Sequence, residues 1–315
     1  MTYSEKGVTH MKLHVVGSVN MDLVLQADRL PVSGESRLGN SYTFALGGKG
    51  ANQAVAAARQ GADVQFAGAV GDDLYGRELR GSLVREKIGT DRLLTSSEAT
   101  GFAVIMLEGA DNRILVFAGA NHAITPEDVL PALEERPDAV LLQLEIPFEV
   151  VCAVCHAADR LGIPAVVDLG PAIRADFSRL GRVEILSPNR TELESATGMP
   201  AETDEELPSA LQKLYETVPC RYIVLKDGSS GAVLYDGAEL TRFPTYDVSP
   251  IVDTTGAGDA FTAALTLRYI ETGDIRAAID RGNAAGSLAI TKLGAQNGMP
   301  DAGALDRLQA RGLRA

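Results

Sequence analysis

The sequence predicts an α/β protein: a three-layer α/β/α Rossmann-like domain on a mainly parallel sheet, with a small β-sheet lid. Three observations predict it. From residue 139 onward the runs AVLLQLE, AVVDLG, EILSPN and YIVLKDG recur with helix-length segments between them. Each run is apolar on both faces, as parallel strands buried under crossover helices are. Two earlier stretches, about 23–45 and 100–120, carry short alternating pieces, the first broken by Pro31, Gly34 and Gly39, which suits β excursions inserted into that domain. Finally, a chain of 315 residues that is 45% hydrophobic can bury one large core, so residues 11–300 are read as one domain carrying the lid.

Taken in order, residues 1–10 (MTYSEKGVTH) lack any pattern and are expected to be a disordered extension. LHVV at 13–16 is a first strand, and GSVNMD at 17–22 follows where its C-terminal crevice would open. Asn20 and Asp22 fall on one side if the strand continues, either as ligand groups or as parts of an Asx turn. GGKGANQ at 47–53 runs into the Ala-rich helix AVAAARQ, closed by Gly61. It is neither a P-loop, which needs Ser or Thr where Gly50 stands, nor a dinucleotide fingerprint, which needs Gly where Gln53 stands. Its glycines suit close approach of a small polyhydroxyl ligand, with Lys49 and Asn52 as hydrogen-bonding groups. A strand over 65–70, a helix over 75–87 and a hairpin of 101–107 with 113–117 around residues 109–112 come next, and the hairpin is the natural partner of the first excursion.

The regular part of the chain places Glu145, Asp168, Asn189 and Lys226 at successive strand ends, the edge where open α/β sheets bind ligands. Cys152, Cys155 and His156 match a haem-attachment spacing, but Val151, Val154, Ala158 and Leu161 make that segment an amphipathic helix, and its cysteines are read as helix residues. Asn189 and Glu192, three apart at a helix start, form either a capping box or, beside a nucleotide, a hold on magnesium through water. A helix from Ile275 carries the small residues of 283–287, which allow close packing.

The chemistry is placed at residues 253–261, DTTGAGDAF. Gly256, Ala257 and Gly258 open a helix and leave its N–H groups uncovered, which makes an anion hole. A first-turn carboxylate such as Asp259 can simply serve the helix dipole. Beside an anion hole, however, it would repel phosphate unless it had another task, such as taking the proton of the attacking group in phosphoryl transfer.

The net charge of −13 argues against a nucleic-acid surface. No apolar run approaches the roughly 20 residues a membrane helix needs, and the N-terminus lacks the plan of a signal peptide. Three cysteines are too few for a disulfide framework in a chain of this length, and a cytoplasmic location is expected.

With GGKGANQ and DTTGAGD in this order, the chain resembles the ribokinase family of carbohydrate kinases, also called pfkB. GSVNMD, LLQLEIP at 141–147, SPNRTE at 187–192 and KLGAQ at 292–296 extend the likeness over residues 13–300. The resemblance implies ATP-dependent phosphorylation of D-ribose at its 5-hydroxyl, with Asp259 as catalytic base. Asn20, Asp22, Gly48, Lys49, Gly50, Ala51, Asn52 and Glu145 would hold the sugar together with Asp259. Asn189, Lys226, Asp227, Gly228, Ser229, Ser230, Gly231, Gly258 and Asn283 would line the ATP site, with Glu192 linked to Mg2+ through water. A potassium ion would be held by oxygens of Asp253 and Thr255 and around Ala289, Lys292 and Gly294. The sequence departs from the family pattern at Gly298, where a serine hydroxyl would otherwise contribute. Lids of two copies would pair in a homodimer. Alternatives are a family kinase for deoxyribose, fructose or a nucleoside, or an idle sugar-binding regulator. The 5% aromatic content gives little surface for a nucleoside base, and a pure binder needs no base beside an anion hole.

Overall fold

The computed structural model describes residues 11–108 and 111–312. The expected extension over residues 1–10 and the turn residues Gly109 and Ala110 lie outside the described residues. Along the chain the elements are β1 (Lys12–Val16), β2 (Asn20–Ala27), β3 (Ser41–Gly47), α1 (Lys49–Arg59), β4 (Asp63–Gly71), α2 (Leu74–Arg85), β5 (Gly89–Ser96), β6 (Gly101–Glu108), β7 (Asp111–Phe117), α3 (Pro126–Val129), β8 (Ala139–Leu142), α4 (Phe148–Leu161) and β9 (Ala165–Asp168). They continue with β10 (Val183–Ser187), α5 (Arg190–Thr197), α6 (Leu207–Thr217), β11 (Cys220–Lys226), β12 (Ala232–Tyr235), β13 (Leu240–Phe243), α7 (Ala257–Thr272), α8 (Ile275–Ala289), α9 (Ala295–Gly298) and α10 (Ala302–Arg311).

Nine strands form the main sheet in the order β13-β12-β11-β10-β9-β8-β1-β4-β5. All neighbours are parallel except β11 with β12 and β12 with β13. Alternate strand residues serve opposite layers, which is why the strands read as apolar on both faces. Leu13, Val15, Leu141 and Ile185 pack with α1, α7 and α8. Val16, Val140, Leu142 and Leu186 pack with α4 and α6 on the other side. From β1 the chain builds outward to β4 and β5, and from β8 it builds the opposite way. Strand order therefore reverses between β1 and β8, the position at which open sheets leave a crevice for ligand.

The small sheet has the order β3-β2-β6-β7, with β2 and β6 parallel and the outer pairs antiparallel. β1 ends at Val16, so Asn20 and Asp22 do not extend the first parallel strand but begin β2 of the small sheet. The sheet leans on the main domain through Phe44, Tyr75 and Phe102, whose ring centroids lie 5.7 and 5.5 Å apart in succession. Tyr42, Ile114, Leu115, Val116 and Phe117 are left exposed.

One expected helix is absent. The connection from β9 to β10 is a single 3-10 turn at Phe177–Leu180. Pro171 follows β9 almost directly, and Asp176 takes the Ser178 N–H and hydroxyl, so a short turn suffices to bury Phe177 and Leu180 over the sheet. The Cys152, Cys155 and His156 segment is part of α4, with both thiols buried and the His156 ring bonded to the Arg179 carbonyl at 3.1 Å. No helix of the described residues is long and apolar enough to cross a membrane.

Candidate active site

The crevice between β1 and β8 is closed by polar groups from both strand ends. Gly48, at φ 87°, a conformation that favours glycine, turns the chain from β3 into α1. The free N–H groups of that helix start are met from across the switch point. Glu145 Oε2 accepts from Lys49 N at 3.0 Å and from the Ser18 hydroxyl at 2.5 Å. Gly50 N donates to Ser18 Oγ at 3.3 Å and Ala51 N to the Ser18 carbonyl at 2.9 Å. The backbone donors of Gly50 and Ala51 are thus spent within the protein.

Helix α7 begins beside α1, with Gly256 in the left-handed region (φ 80°) and no side chain capping the helix start. Asp259, in its first turn, is buried. Asn52 Nδ2 donates to its Oδ2 at 2.9 Å and Gln53 Nε2 to its Oδ1 at 3.1 Å. Burial pushes the Asp259 carboxyl up to about 6, against the pull of Lys49. Asp22, on β2, lies against Gly47, and burial with the charges of Glu145 and Asp259 pushes it up to about 7. Burial opposes the charge of Lys49, but Asp259, Asp168, Glu145 and Glu192 together raise its pKa and keep it an ammonium. Asn20, also on β2, accepts from Asn121 Nδ2 at 2.7 Å. Asp22, Lys49, Asn52, Glu145 and Asp259 therefore converge on one place, with Asn20 two residues before Asp22 on β2.

On the other side of the α7 N-terminus is a cavity of about 440 Å³ whose lining includes Lys226, Ser229, Tyr246, Gly258, Phe261 and Asn283. Gly228 and Gly231 also reach it, whereas Asn189, Asp227 and Ser230 do not line it. The Asp227 carboxylate is engaged by Arg190, Nε to Oδ1 at 2.5 Å and Nη2 to Oδ2 at 2.8 Å. Asn283 donates to the carbonyls of Phe243 and Pro244. Lys226 donates to Asp168 Oδ1 at 2.7 Å and stands 3.7 Å from Glu192. Although burial pushes Asp168 up, Lys226 and Lys49 hold it below the usual carboxylate range.

Asn189 and Glu192 do form a capping box, Glu192 N to Asn189 Oδ1 at 2.8 Å and Asn189 N to Glu192 Oε2 at 2.7 Å. Among the described residues no group of three or more His, Cys, Asp or Glu is placed to hold a metal ion. Asp253 accepts from Thr255 N at 2.9 Å and Gly294 N at 2.8 Å, contacts that outweigh burial and keep its pKa low. The backbone at Gly298 passes so near the Ala289 carbonyl that a Cβ there would meet its oxygen at 2.5 Å.

Sequence reasoning passed over Ser18, Asn121, Gln143 and Gln53 as site residues. Gln143 interrupts an apolar strand end and Gln53 closes the GGKGANQ run, so both left a signal; Asn121 left none, because its role depends on a contact to Val19 and Asn20 made only in the fold.

An open α/β sheet with a crevice at its switch point, a small second sheet beside it, and a buried carboxylate between a polar pocket and a cleft leaves two adjoining places for small ligands. Residues 11–302 match the family described as pfkB family carbohydrate kinase. A ribokinase of Bacillus subtilis (strain 168) is 41% identical over 302 residues, 93% of this chain and 98% of that protein. A deoxyribokinase of Salmonella typhi is 32% identical over 295 residues, 92% and 96% of the two chains. The structure of Arabidopsis thaliana ribokinase complexed with ribose and ATP matches with a TM-score of 0.87 at 33% identity, over 95% of this chain and 99% of that one. The chain belongs to the pfkB family of carbohydrate kinases. It is a sugar kinase, a phosphotransferase.

Proposed function

We propose that the protein transfers the terminal phosphoryl group of ATP to the 5-hydroxyl of D-ribose, with Asp259 as general base. The observation that carries this reading is the position of Asp259: buried among polar side chains, one residue from the Gly258 that lines the cleft. The ribokinase relatives supply the sugar and the nucleotide. With a pKa of about 6, Asp259 is mostly ionised at neutral pH. It takes the proton of the sugar hydroxyl as that oxygen bonds to the γ-phosphorus and the bond to ADP breaks. The N–H groups of Gly256 and Gly258 face the charge that develops on the transferred group, whereas the expected third donor, Ala257 N, donates to the Thr254 carbonyl at 3.3 Å.

Asn20, Asp22, Lys49, Asn52 and Glu145, with the Gly48 backbone, bind the sugar; a small neutral ligand draws its affinity from several such bonds in a water-poor pocket. ATP occupies the 440 Å³ cleft, with the 226–231 segment and Asn283 along it. Mg2+ would arrive on the phosphates of ATP and neutralise their charge, and Glu192, beside Lys226 at the cleft, would hold it through water. Asp253 is ionised and each of its oxygens keeps a lone pair, so the loop fits a weakly hydrated alkali cation together with carbonyls near Thr255, Ala289, Lys292 and Gly294. Gly298 adds no side-chain oxygen. The exposed apolar β7 and Tyr42 suit pairing of two small sheets in a homodimer, which sedimentation velocity tests directly. A cytoplasmic setting, where ATP is supplied, accompanies this reading.

Deoxyribose is the second reading, favoured by the deoxyribokinase relative. A coupled ATP-consumption assay over pentoses, hexoses and nucleosides tests both. The highest kcat/KM is expected with ribose. A higher value with deoxyribose shifts the assignment within pentoses, and one with a hexose or nucleoside overturns it.

A further inference from the structure

Gln53 lies on α1 with no exposed surface. Its amide nitrogen donates to two carboxylates, at 3.1 Å to Asp259 Oδ1 and at 3.1 Å to Asp168 Oδ2. Its carbonyl oxygen accepts from Gln143 Nε2 at 2.6 Å. Gln143 is fully buried just past β8, and its own Oε1 has no hydrogen-bond partner among the described residues. That oxygen lies so close to Gly17 that a Cβ there would come within 2.0 Å of it.

Charge fixes the orientation of both amides. An ionised carboxylate only accepts, so Gln53 turns its nitrogen to the pair and its oxygen to Gln143, and Gln143 must answer with its nitrogen. Flipping either amide sets oxygen against oxygen. The arrangement leaves the Gln143 oxygen unmet in the core, which is unfavourable. An apolar pair of the same shape would avoid that penalty, so the glutamines are there for what they hold.

We propose that Gln53, locked by Gln143, is a positioning residue for Asp259, which keeps that carboxylate ionised and correctly aimed next to the buried Asp168 before substrate arrives. This rests on the reading of Asp259 as the base. Two carboxylates in one buried site repel, and one of them tends to take up a proton. A single amide donating to both offsets the repulsion. The other charges that face Asp259 are mixed: Lys49 on α1 attracts, while Asp22 on β2 and Asp168 on β9 repel. Glu145, beyond β8, acts on Asp22 and Lys49, and Lys226 on β11 is committed to Asp168, with Glu192 behind it. Among the described residues only Gln53 hydrogen-bonds to both acids, while Lys49 acts on both through its charge. Burial already raises Asp259, and removal of the amide raises it further.

The test measures kcat and sugar KM from about pH 5 to pH 9, the span over which a group near pH 6 titrates, with melting curves as the check on folding. Gln53→Met keeps the length of the side chain and removes its hydrogens. The acid limb of kcat is expected to move up by about one pH unit, so that kcat on the acid side falls about tenfold, while KM stays near that of the parent. Gln143→Met leaves Gln53 present but unlocked; its limb moves in the same direction by less, and it decides the question if Gln53→Met does not fold. An unmoved acid limb, or a fall confined to KM, overturns the positioning role. Asp259→Asn separates the two readings. Turnover retained there removes the base and this inference with it, whereas turnover lost there beside an unmoved limb in Gln53→Met overturns the inference alone.

Discussion

The two sides of Asp259 are built on different physics. On the side of Asn20, Asp22 and Lys49, polar side chains from separate elements are already bonded to one another: Asn20 to Asn121, Asn52 to Asp259, Ser18 to Glu145. On the cleft side, Tyr246, Val248, Ile251, Phe261 and Ile290 supply apolar walls, and polar groups such as Asn283 and Ser287 are bonded to backbone. On the proposed function, the first side would recognise a small ligand by a few charged hydrogen bonds, so losing one would matter. The second would recognise a large ligand by area and main-chain groups, where truncating a single side chain would change little.

The sharpest break of that contrast is at its boundary. Asp259→Asn is expected to keep sugar binding and lower kcat by about 10²–10⁴-fold, the usual size of a general-base contribution. Single-turnover kinetics with calorimetry checks it; turnover within a few-fold of the parent, with binding intact, would remove Asp259 from its role.

Next in size is Asp22→Ala, which should weaken ribose binding by about 1.5–3 kcal/mol, the range for a lost charged hydrogen bond, and leave ATP affinity nearly unchanged. Equal losses for both ligands in calorimetry would mean general damage. The same residue also links the site to stability. Its folded pKa of about 7 stands above its ordinary value of 3.8, so the contribution of its protonated form is complete below about pH 4 and is lost as pH rises through 7. Asp22→Asn should therefore raise the melting temperature of the ligand-free protein at pH 8 and change it little at pH 4. An equal change at both would refute the account.

A smaller effect is expected on the cleft side. Asn283→Ala removes donors to the Phe243 and Pro244 carbonyls and should reduce folding stability by about 0.5–1.5 kcal/mol, with the KM for ATP shifting less than the sugar KM does in Asp22→Ala. A larger shift for ATP would mean that Asn283 reads the nucleotide directly.

How far the sequence reported this contrast depended on where the information lies. Asp259 and Lys49 were legible because glycine-rich turns mark their helix starts, and the parallel strands announced themselves by being apolar on both faces. The crossover after β9 was misread because Pro171 and Asp176 end a helix before it starts, while Phe177 and Leu180 still look like helix core. The resemblance implied Asp227 beside the nucleotide; that its carboxylate is bonded to Arg190, distant in sequence, is visible only in the fold. Gln53 and Gln143 stood in plain view, but their meaning arises only when Asp168 and Asp259, far apart in the chain, are brought to one amide. Pairing partners are a property of the fold, and sequence spacing cannot show them.

The smallest expected effect lies behind the α7 N-terminus and tests whether the boundary is held from outside either pocket. Asp253 ties Thr255 to Gly294 through its two oxygens, so an alkali cation on that loop would act on the anion hole only by holding Gly256, Ala257 and Gly258 still. Potassium should raise kcat a few-fold over choline at equal ionic strength, with sodium less effective, and should raise the melting temperature in the same order, because a ligand that binds only the folded state stabilises it. Matched ionic strength separates this from the general response of an acidic protein to salt. Gly298→Ser sharpens the test. A serine there would supply an oxygen, but its Cβ would meet the Ala289 carbonyl at 2.5 Å, and the displaced backbone would move one of the site's own acceptors. The substitution should therefore weaken the potassium response instead of strengthening it. A stronger response in both kcat and melting temperature would show that the backbone yields there, and identical behaviour of the parent in potassium and choline would remove the cation while leaving the kinase in place.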